Sequence, residues 1–246
     1  MRFFIEISYH GKNYHGWQIQ ENASTIQEEI DNAISLLLKK KIKTMGSGRT
    51  DAGVHAITQV AHFDYDKPID NSFLYRINSF LSNDISINSI KKVKENISAR
   101  FDAISREYIY KIHCIKSPFL NDRSLFYPKK INVRLINDAC KVLIGHSDFK
   151  TFSKVKTDVN NYNCQISKAE IKKEGYNYYF NISSDRFLRG MVRAIVGTMI
   201  QINEEKISVE SLEDIILKKD RKYAGPSVPS HGLYLSNVLY DKEIYL

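Results

Sequence analysis

The hydrophobic pattern of the chain alternates between strand type and helix type, and it does so in two successive passes. Residues 3–9 carry apolar side chains at every second position, as a half-buried strand requires. The predicted strands lie at residues 3–9, 57–65, 85–94, 106–115, 166–173, 176–183 and 232–240. One predicted helix begins near residue 26, and four others lie at residues 70–81, 132–144, 187–201 and 209–218. This order predicts an α+β fold with one continuous, mixed or antiparallel sheet that carries helices on one side.

The two passes divide the chain into an N-terminal half, residues 1–104, and a C-terminal half, residues 105–246. A length of 246 residues suits one large domain or two small ones. No Gly/Ser-rich linker separates the halves, and no residue-level repeat relates them. At the start of the first helix, Ser24 and Thr25 stand three residues before Gln27 and Glu28, a capping-box pattern.

Charge and cysteine content narrow the class of protein. The formal net charge of +8 points toward a polyanion such as nucleic acid, although many basic proteins bind nothing anionic. The three cysteines are more than twenty residues apart, which excludes a disulfide framework and a closely spaced zinc pair. The N-terminal apolar stretch is too short for a signal sequence, and no uncharged run approaches the roughly 20 residues that span a bilayer. We therefore expect a cytoplasmic protein with no membrane segment.

The loop at residues 46–56, GSGRTDAGVHA, is the first candidate for a functional site. It lacks the Lys-Ser/Thr ending of a P-loop and does not lie between a strand and a following helix, so it predicts no nucleotide cofactor. One interpretation is a tight turn in which Asp51 caps nearby amides and Arg49 is solvated. The other is a loop that presents a reactive group.

Arg193 bears on that choice because it lies in a segment that is apolar nearly all round, residues 187–200. Such a helix should be buried, and a buried guanidinium needs a partner. Asp51 is the candidate partner, and pairing would hold it as an oriented anion suited to nucleophilic attack. The alternatives are that Arg193 extends to solvent or meets another acid.

Aromatic residues and histidines complete the set of candidates. Tyr108 and Tyr110 share one face of a strand; Tyr110 is expected to pack in the core, whereas Tyr108 could stack on a flipped base. Trp17 is expected to fill the core. The seven histidines form no recognisable metal-binding pattern, so no metal is expected.

Taken together, the motifs resemble the tRNA pseudouridine synthase A family along nearly the whole chain. The central motif, residues 48–56, matches the family without a departure. The other matching segments are residues 14–18 with Gln20, 99–103, Arg106 with Tyr108 and Tyr110, 145–149, 152–153, 191–197, 224–226 and 231–235.

This resemblance implies the pseudouridine synthase fold, with two ferredoxin-like halves, a continuous sheet and a central cleft. It also implies isomerisation of uridines 38, 39 and 40 in the tRNA anticodon stem-loop by a homodimer, without cofactor or metal. Asp51 would be the nucleophile and Arg193 its orienting partner. Tyr108 would stack on the uracil and could accept the C5 proton. Arg49 would help displace the target nucleotide or hold the vacated space.

Three departures from the family pattern lie outside this site: Ser82-Asn83 in place of Leu-Pro, Ile97-Ser98 in place of an aromatic-His pair, and Cys164 in place of a basic residue. They bear on contacts with tRNA and on the choice of uridine rather than on the reaction. Two other functions remain open from the residues alone, a non-catalytic RNA-binding protein and a hydrolase of N-glycosidic bonds. A hydrolase typically needs a second carboxylate, and the loop around Asp51 contains none.

Overall fold

The computed structural model describes residues 1–155 and 161–246, which form two compact units. The first unit comprises residues 1–104 and 234–246, and the second comprises residues 105–233. The closing segment, residues 234–246, lies with the first unit, because its strand pairs with a strand of that unit.

The described residues form nine strands and five α-helices. In chain order they are β1 (Arg2–Tyr9), α1 (Ile26–Leu38), β2 (Met45–Gly46), β3 (His55–Asp64), α2 (Phe73–Phe80), β4 (Ile85–Val93), β5 (Ser105–His113), β6 (Leu125–Phe126), α3 (Val133–Ile144), β7 (Ile166–Glu174), β8 (Asn177–Ser184), α4 (Met191–Asn203), α5 (Ser211–Leu217) and β9 (Leu233–Leu239).

In the first unit the strand order is β4-β1-β3-β9, and the short strand β2 also pairs with β3. Strand β1 is antiparallel to both of its neighbours, and Ile5 lies opposite Ala61 of β3 and Ile90 of β4. Strand β9 runs parallel to β3. The loop that precedes β3 therefore leads into an interior strand of this unit.

In the second unit the strand order is β5-β8-β7, all antiparallel, with the short β6 parallel to β5. Strands β7 and β8 form the predicted hairpin, and Gly175 at its turn has a φ of +58°, which glycine adopts without strain. Helix α3 packs against β7.

The helix boundaries show where local sequence signals succeed and fail. The predicted cap of α1 is confirmed, because the Thr25 hydroxyl accepts a hydrogen bond from the amide of Glu28 at 3.4 Å. Helix α4 begins at Met191 rather than near residue 187. Gly190 has a φ of +72°, outside the helical region, so the apolar residues before it are not helical.

The predicted α+β class with a mainly antiparallel sheet is confirmed. Within residues 1–155 and 161–246, no helix is both long enough and apolar enough to span a bilayer.

Candidate active site

The loop that carries Arg49 and Asp51 connects β2 to β3 and is held at its start by β3 itself. The amide of Ser47 donates to the carbonyl oxygen of Val60 at 2.7 Å. The Gln59 side-chain amide, which is fully buried, donates to the carbonyl oxygen of Gly48 at 3.1 Å. These bonds fix the backbone immediately before Arg49.

The middle of the loop is held by the N-terminal segment. The hydroxyls of Tyr9 and Thr50 hydrogen-bond at 2.8 Å, and the amide of Trp17 donates to the carbonyl oxygen of Thr50 at 3.2 Å. Gly16 lies against the same carbonyl with a φ of +91°, where a side chain would be both strained and obstructed. The residue directly before Asp51 is therefore buried and bonded through both its side chain and its backbone.

Asp51 itself begins a tight turn. Its carbonyl oxygen accepts a hydrogen bond from the amide of Val54 at 3.2 Å, and Gly53 adopts a φ of +75° within the turn. The Asp51 side chain is half-buried and that of Arg49 is exposed. The loop therefore contains a tight turn, and its anchors give this turn a defined backbone path.

Trp17 fills the core beneath this loop, as predicted. It is 1% exposed, and a side chain on Gly46 would collide with its indole ring. Glycine at position 46 thus allows the loop backbone to lie directly on the tryptophan.

Arg193 lies in the first turns of α4, which is buried as the sequence predicts. Nine of the thirteen residues of the helix are buried, whereas Arg193 is half-buried. Its Nε donates to the carbonyl oxygen of Val228 at 2.7 Å. A backbone carbonyl therefore meets part of the hydrogen-bonding demand that the sequence analysis assigned to a carboxylate.

The segment that supplies this carbonyl is docked on α4 through two glycines. A side chain on Gly197 would overlap the carbonyl of Pro226, and one on Gly225 would press on the backbone of Gly197. The amide of Gly225 donates to the Thr198 hydroxyl at 2.9 Å. The segments at residues 191–197 and 224–226, which match the family pattern, thus meet at a close contact between their backbones.

The two tyrosines of β5 have different environments. Tyr110 is fully buried, and its hydroxyl donates to the carbonyl oxygen of Pro229 at 2.8 Å. Burial raises the pKa of Tyr110 well above its usual value, and the charge of nearby Arg193 opposes part of that rise. Tyr108 is half-buried, and its ring meets that of Phe187 edge to face at 5.1 Å. The core role predicted for Tyr110 is confirmed.

The structure brings Arg49 and Asp51 together in the first unit, and it places Arg193 and Tyr108 in the second. The ion pair between Asp51 and Arg193 stays a prediction. Sequence reasoning missed Val228 and Thr50, which hold the two candidate residues in place. Only an indirect signal points to an acceptor such as the Val228 carbonyl. An arginine on an apolar helix needs hydrogen-bond acceptors, and backbone carbonyls can supply them.

The departures from the family pattern have local structural roles. The hydroxyl of Ser82 hydrogen-bonds that of Tyr14 at 2.9 Å, a contact that leucine could not make. Ser98 donates its amide to Asp102 at 2.7 Å at the start of a turn. Cys164 is 1% exposed, and burial raises its pKa to about 12, so its thiol is a buried neutral group.

Metal ligands do not cluster in the part of the chain that the structure describes: no group of three or more His, Cys, Asp or Glu side chains there is arranged to hold an ion. The first unit thus carries an anchored turn with a half-buried carboxylate, and the second unit carries an arginine held on an apolar helix and a partly exposed tyrosine.

Comparison with known proteins assigns the chain to a family. A family model described as tRNA pseudouridine synthase matches residues 6–102 and 139–241. The tRNA pseudouridine synthase A of Parabacteroides distasonis is 43% identical over 246 residues, which cover 99% of this chain and 98% of that protein. The protein of the same name from Bacteroides fragilis is also 43% identical, with the same coverage of 99% and 98%. The tRNA pseudouridine synthase A of Neorickettsia sennetsu is 38% identical, and the match covers 98% of this chain and 100% of that protein. The chain belongs to the tRNA pseudouridine synthase A family, a family of isomerases.

Proposed function

We propose that the protein converts uridines 38, 39 and 40 of the tRNA anticodon stem-loop to pseudouridine, with Asp51 as the nucleophile. The observation that carries this proposal is the anchored turn at Asp51. Thr50 before it and Val54 after it are both tied by backbone hydrogen bonds, so the half-buried carboxylate starts from a defined position. A fixed nucleophile lowers the cost of orienting it in the transition state.

The reaction is an internal rearrangement of one nucleotide. The bond from C1′ to N1 breaks, a bond from C1′ to C5 forms, the proton on C5 leaves, and N1 gains a proton. No oxidant or reductant is consumed. Asp51 attacks either C6 of the base or C1′ of the ribose, and both routes need an ionised carboxylate in a pocket with little water.

The other candidate residues have distinct roles in this scheme. Arg193 orients the Asp51 carboxylate, and its Nε bond to Val228 limits where the guanidinium can point. Tyr108 stacks on the displaced uracil and accepts the C5 proton. Arg49, exposed two residues before the nucleophile, displaces the target nucleotide or occupies the space it leaves.

The basic character of the chain fits an RNA substrate. A net charge of +8 favours contacts to phosphate and to the shape of the folded RNA, so affinity for tRNA should fall steeply as salt rises. The same scheme includes a homodimer that acts on tRNA in the cytoplasm.

The test uses the purified protein, an unmodified tRNA transcript and no added cofactor. Pseudouridines are mapped by carbodiimide-dependent stops of reverse transcription. A transcript with cytidine at positions 38–40 is the matched control. Stops at 38–40 that vanish in the control support the proposal, and stops elsewhere overturn the choice of uridines.

Two outcomes would favour the other functions. Bound tRNA without stops would make the protein a non-catalytic RNA binder. Release of free uracil would make it a hydrolase of the N-glycosidic bond.

A further inference from the structure

His55 follows the Asp51 turn directly and is the first residue of β3. Its side chain is 1% exposed, and its Nδ1 accepts a hydrogen bond from the backbone amide of Gly11 at 3.0 Å. Because only an unprotonated ring nitrogen accepts, this bond requires an imidazole without a proton on Nδ1.

The segment that donates this bond lies against the same turn. A side chain on Gly11 would overlap the carbonyl of Val54, the last residue of the turn. Three residues further on, the carbonyl oxygen of Tyr14 accepts a hydrogen bond from the amide of Gly53 at 3.3 Å. Residues 11–14 and the turn are therefore joined at two points, and His55 provides the side-chain bond at one end.

The His55 ring is also held from both faces. The ring centroid of His10 lies 4.5 Å away with an interplanar angle of 31°, and that of Tyr234 lies 4.6 Å away at 30°. His10 is fixed in turn by its amide, which donates to the carbonyl oxygen of Asp84 at 2.8 Å. The imidazole thus sits in a stack of three rings with little freedom to rotate.

We propose that His55 is a positioning residue for the reaction: its Nδ1 acceptor ties the end of the Asp51 turn to Gly11 and so sets the direction of the carboxylate. The role rests on the proposed function of Asp51 as nucleophile. His55 acts through the backbone of the turn and takes no part in the bond changes.

Two substitutions separate the acceptor from the ring. His55→Asn keeps an acceptor oxygen near the position of Nδ1 and removes the stacked ring. His55→Phe keeps a ring for the stack and removes the acceptor. A residue that only fills the core would tolerate phenylalanine better than asparagine, which is the opposite of the order proposed here.

The measurements are turnover of a tRNA transcript, tRNA affinity and the melting temperature of each variant. We expect His55→Phe to lower kcat by about 10- to 100-fold with KM within about twofold, since small displacements of a reacting group cost rate more than binding. We expect His55→Asn to recover most of that loss. Wild-type kcat in His55→Phe, or a larger loss in His55→Asn than in His55→Phe, would overturn the proposal.

A measurement on the unsubstituted protein keeps the test independent of folding defects. The nitrogen chemical shifts of His55 at neutral pH should show the proton on Nε2 and none on Nδ1, and the Gly11 amide should exchange slowly with solvent. A protonated Nδ1 would contradict the acceptor role.

Asp51→Asn, measured in parallel, distinguishes the two proposals. If Asp51→Asn is inactive while His55→Phe is normal, the positioning role fails and the nucleophile stands. If Asp51→Asn stays active, the proposed function fails and the positioning role fails with it.

Discussion

The Nε of Arg193 donates to the carbonyl oxygen of Val228 at 2.7 Å, and the amide of Val228 donates back to the carbonyl oxygen of Arg193 at 3.2 Å. This reciprocal pair joins α4 to the segment that follows α5. It fixes the base of the guanidinium, so the same residue supports local folding and the direction of a positive charge.

Arg193→Met should therefore damage stability and activity together. Loss of the charge-assisted bond to Val228 should lower the free energy of unfolding by about 1–2 kcal/mol, given that Arg193 is half-buried. Turnover should fall because Asp51 loses its proposed partner. Urea unfolding and a single-turnover assay measure the two effects.

Arg76→Met is the matched control for loss of an arginine. Arg76 pairs with Asp70 at 2.8 Å on the surface of the first unit, where such pairs contribute little. We expect wild-type turnover in this control. An Arg193→Met variant that folds and reacts normally would refute the role assigned to Arg193.

Tyr108 offers a test that separates stacking from proton transfer. Tyr108→Phe keeps the ring that would stack on uracil and removes the phenol oxygen, whereas Tyr108→Leu removes both. We expect Tyr108→Phe to bind tRNA normally but to turn over slowly, because removal of the C5 proton becomes slow. Turnover by this variant should therefore show a deuterium isotope effect at C5, and its absence would argue against the proton role.

Tyr108→Leu should turn over slowly and should also bind tRNA more weakly, because stacking of a base on an aromatic ring contributes about 1–3 kcal/mol. Filter binding of a tRNA transcript measures this difference. Equal affinity in Tyr108→Leu and Tyr108→Phe would contradict the stacking role.

Asp31 gives the first unit a stability that depends on pH. Its Oδ1 accepts hydrogen bonds from the amide and hydroxyl of Thr44, at 2.9 and 2.6 Å, yet burial raises its pKa from 3.8 to about 6. Because the folded pKa is the higher one, the folded state favours the protonated acid. Stability from this group is present below about pH 4 and is lost as pH rises through about 6.

Asp31→Asn keeps an acceptor for both Thr44 bonds and removes the titration. We expect the variant to be more stable than the wild type by about 1–3 kcal/mol at pH 7 and by little at pH 3.5. Urea unfolding at the two pH values measures this. Asp138→Asn, at an exposed acid paired with Lys141, should show no such gain. An Asp31→Asn gain that is the same at both pH values would contradict the burial argument.

Most strands and helices can be predicted from the sequence because strand alternation and helix capping depend on residues that are close together in the chain. The alternation in residues 3–9 and the Thr25 cap each depend on neighbours within a few positions, and both match the structure. The apolar pattern predicts that α4 begins near residue 187, which is wrong, because Gly190 has a positive φ that ends any helix before Met191.

The features that local patterns did not reveal are contacts between distant segments. The two-residue strands β2 and β6 are too short to show alternation. The local pattern predicts β9 as a strand but not its partner, because the parallel pairing with β3 joins residues nearly 180 positions apart. The Val228 carbonyl that binds Arg193 carries no side-chain signal, since every residue has one.

The residue types around Asp51 leave both a simple turn and a reactive loop open, and the resemblance of several ordered motifs favours the reactive loop. The structure adds what residue types cannot express: the bonds from Tyr9 and Trp17 to Thr50, which hold the position next to the carboxylate.

The decisive measurement is pseudouridine formation by Asp51→Asn beside tRNA binding by the same variant, with Asp138→Asn as control. Asparagine keeps the shape of the side chain and removes the anion, so turnover should fall at least about a thousandfold while the Kd for tRNA stays within a few fold. Appreciable pseudouridine formation by a well-folded Asp51→Asn protein would show that the carboxylate of Asp51 is not the nucleophile.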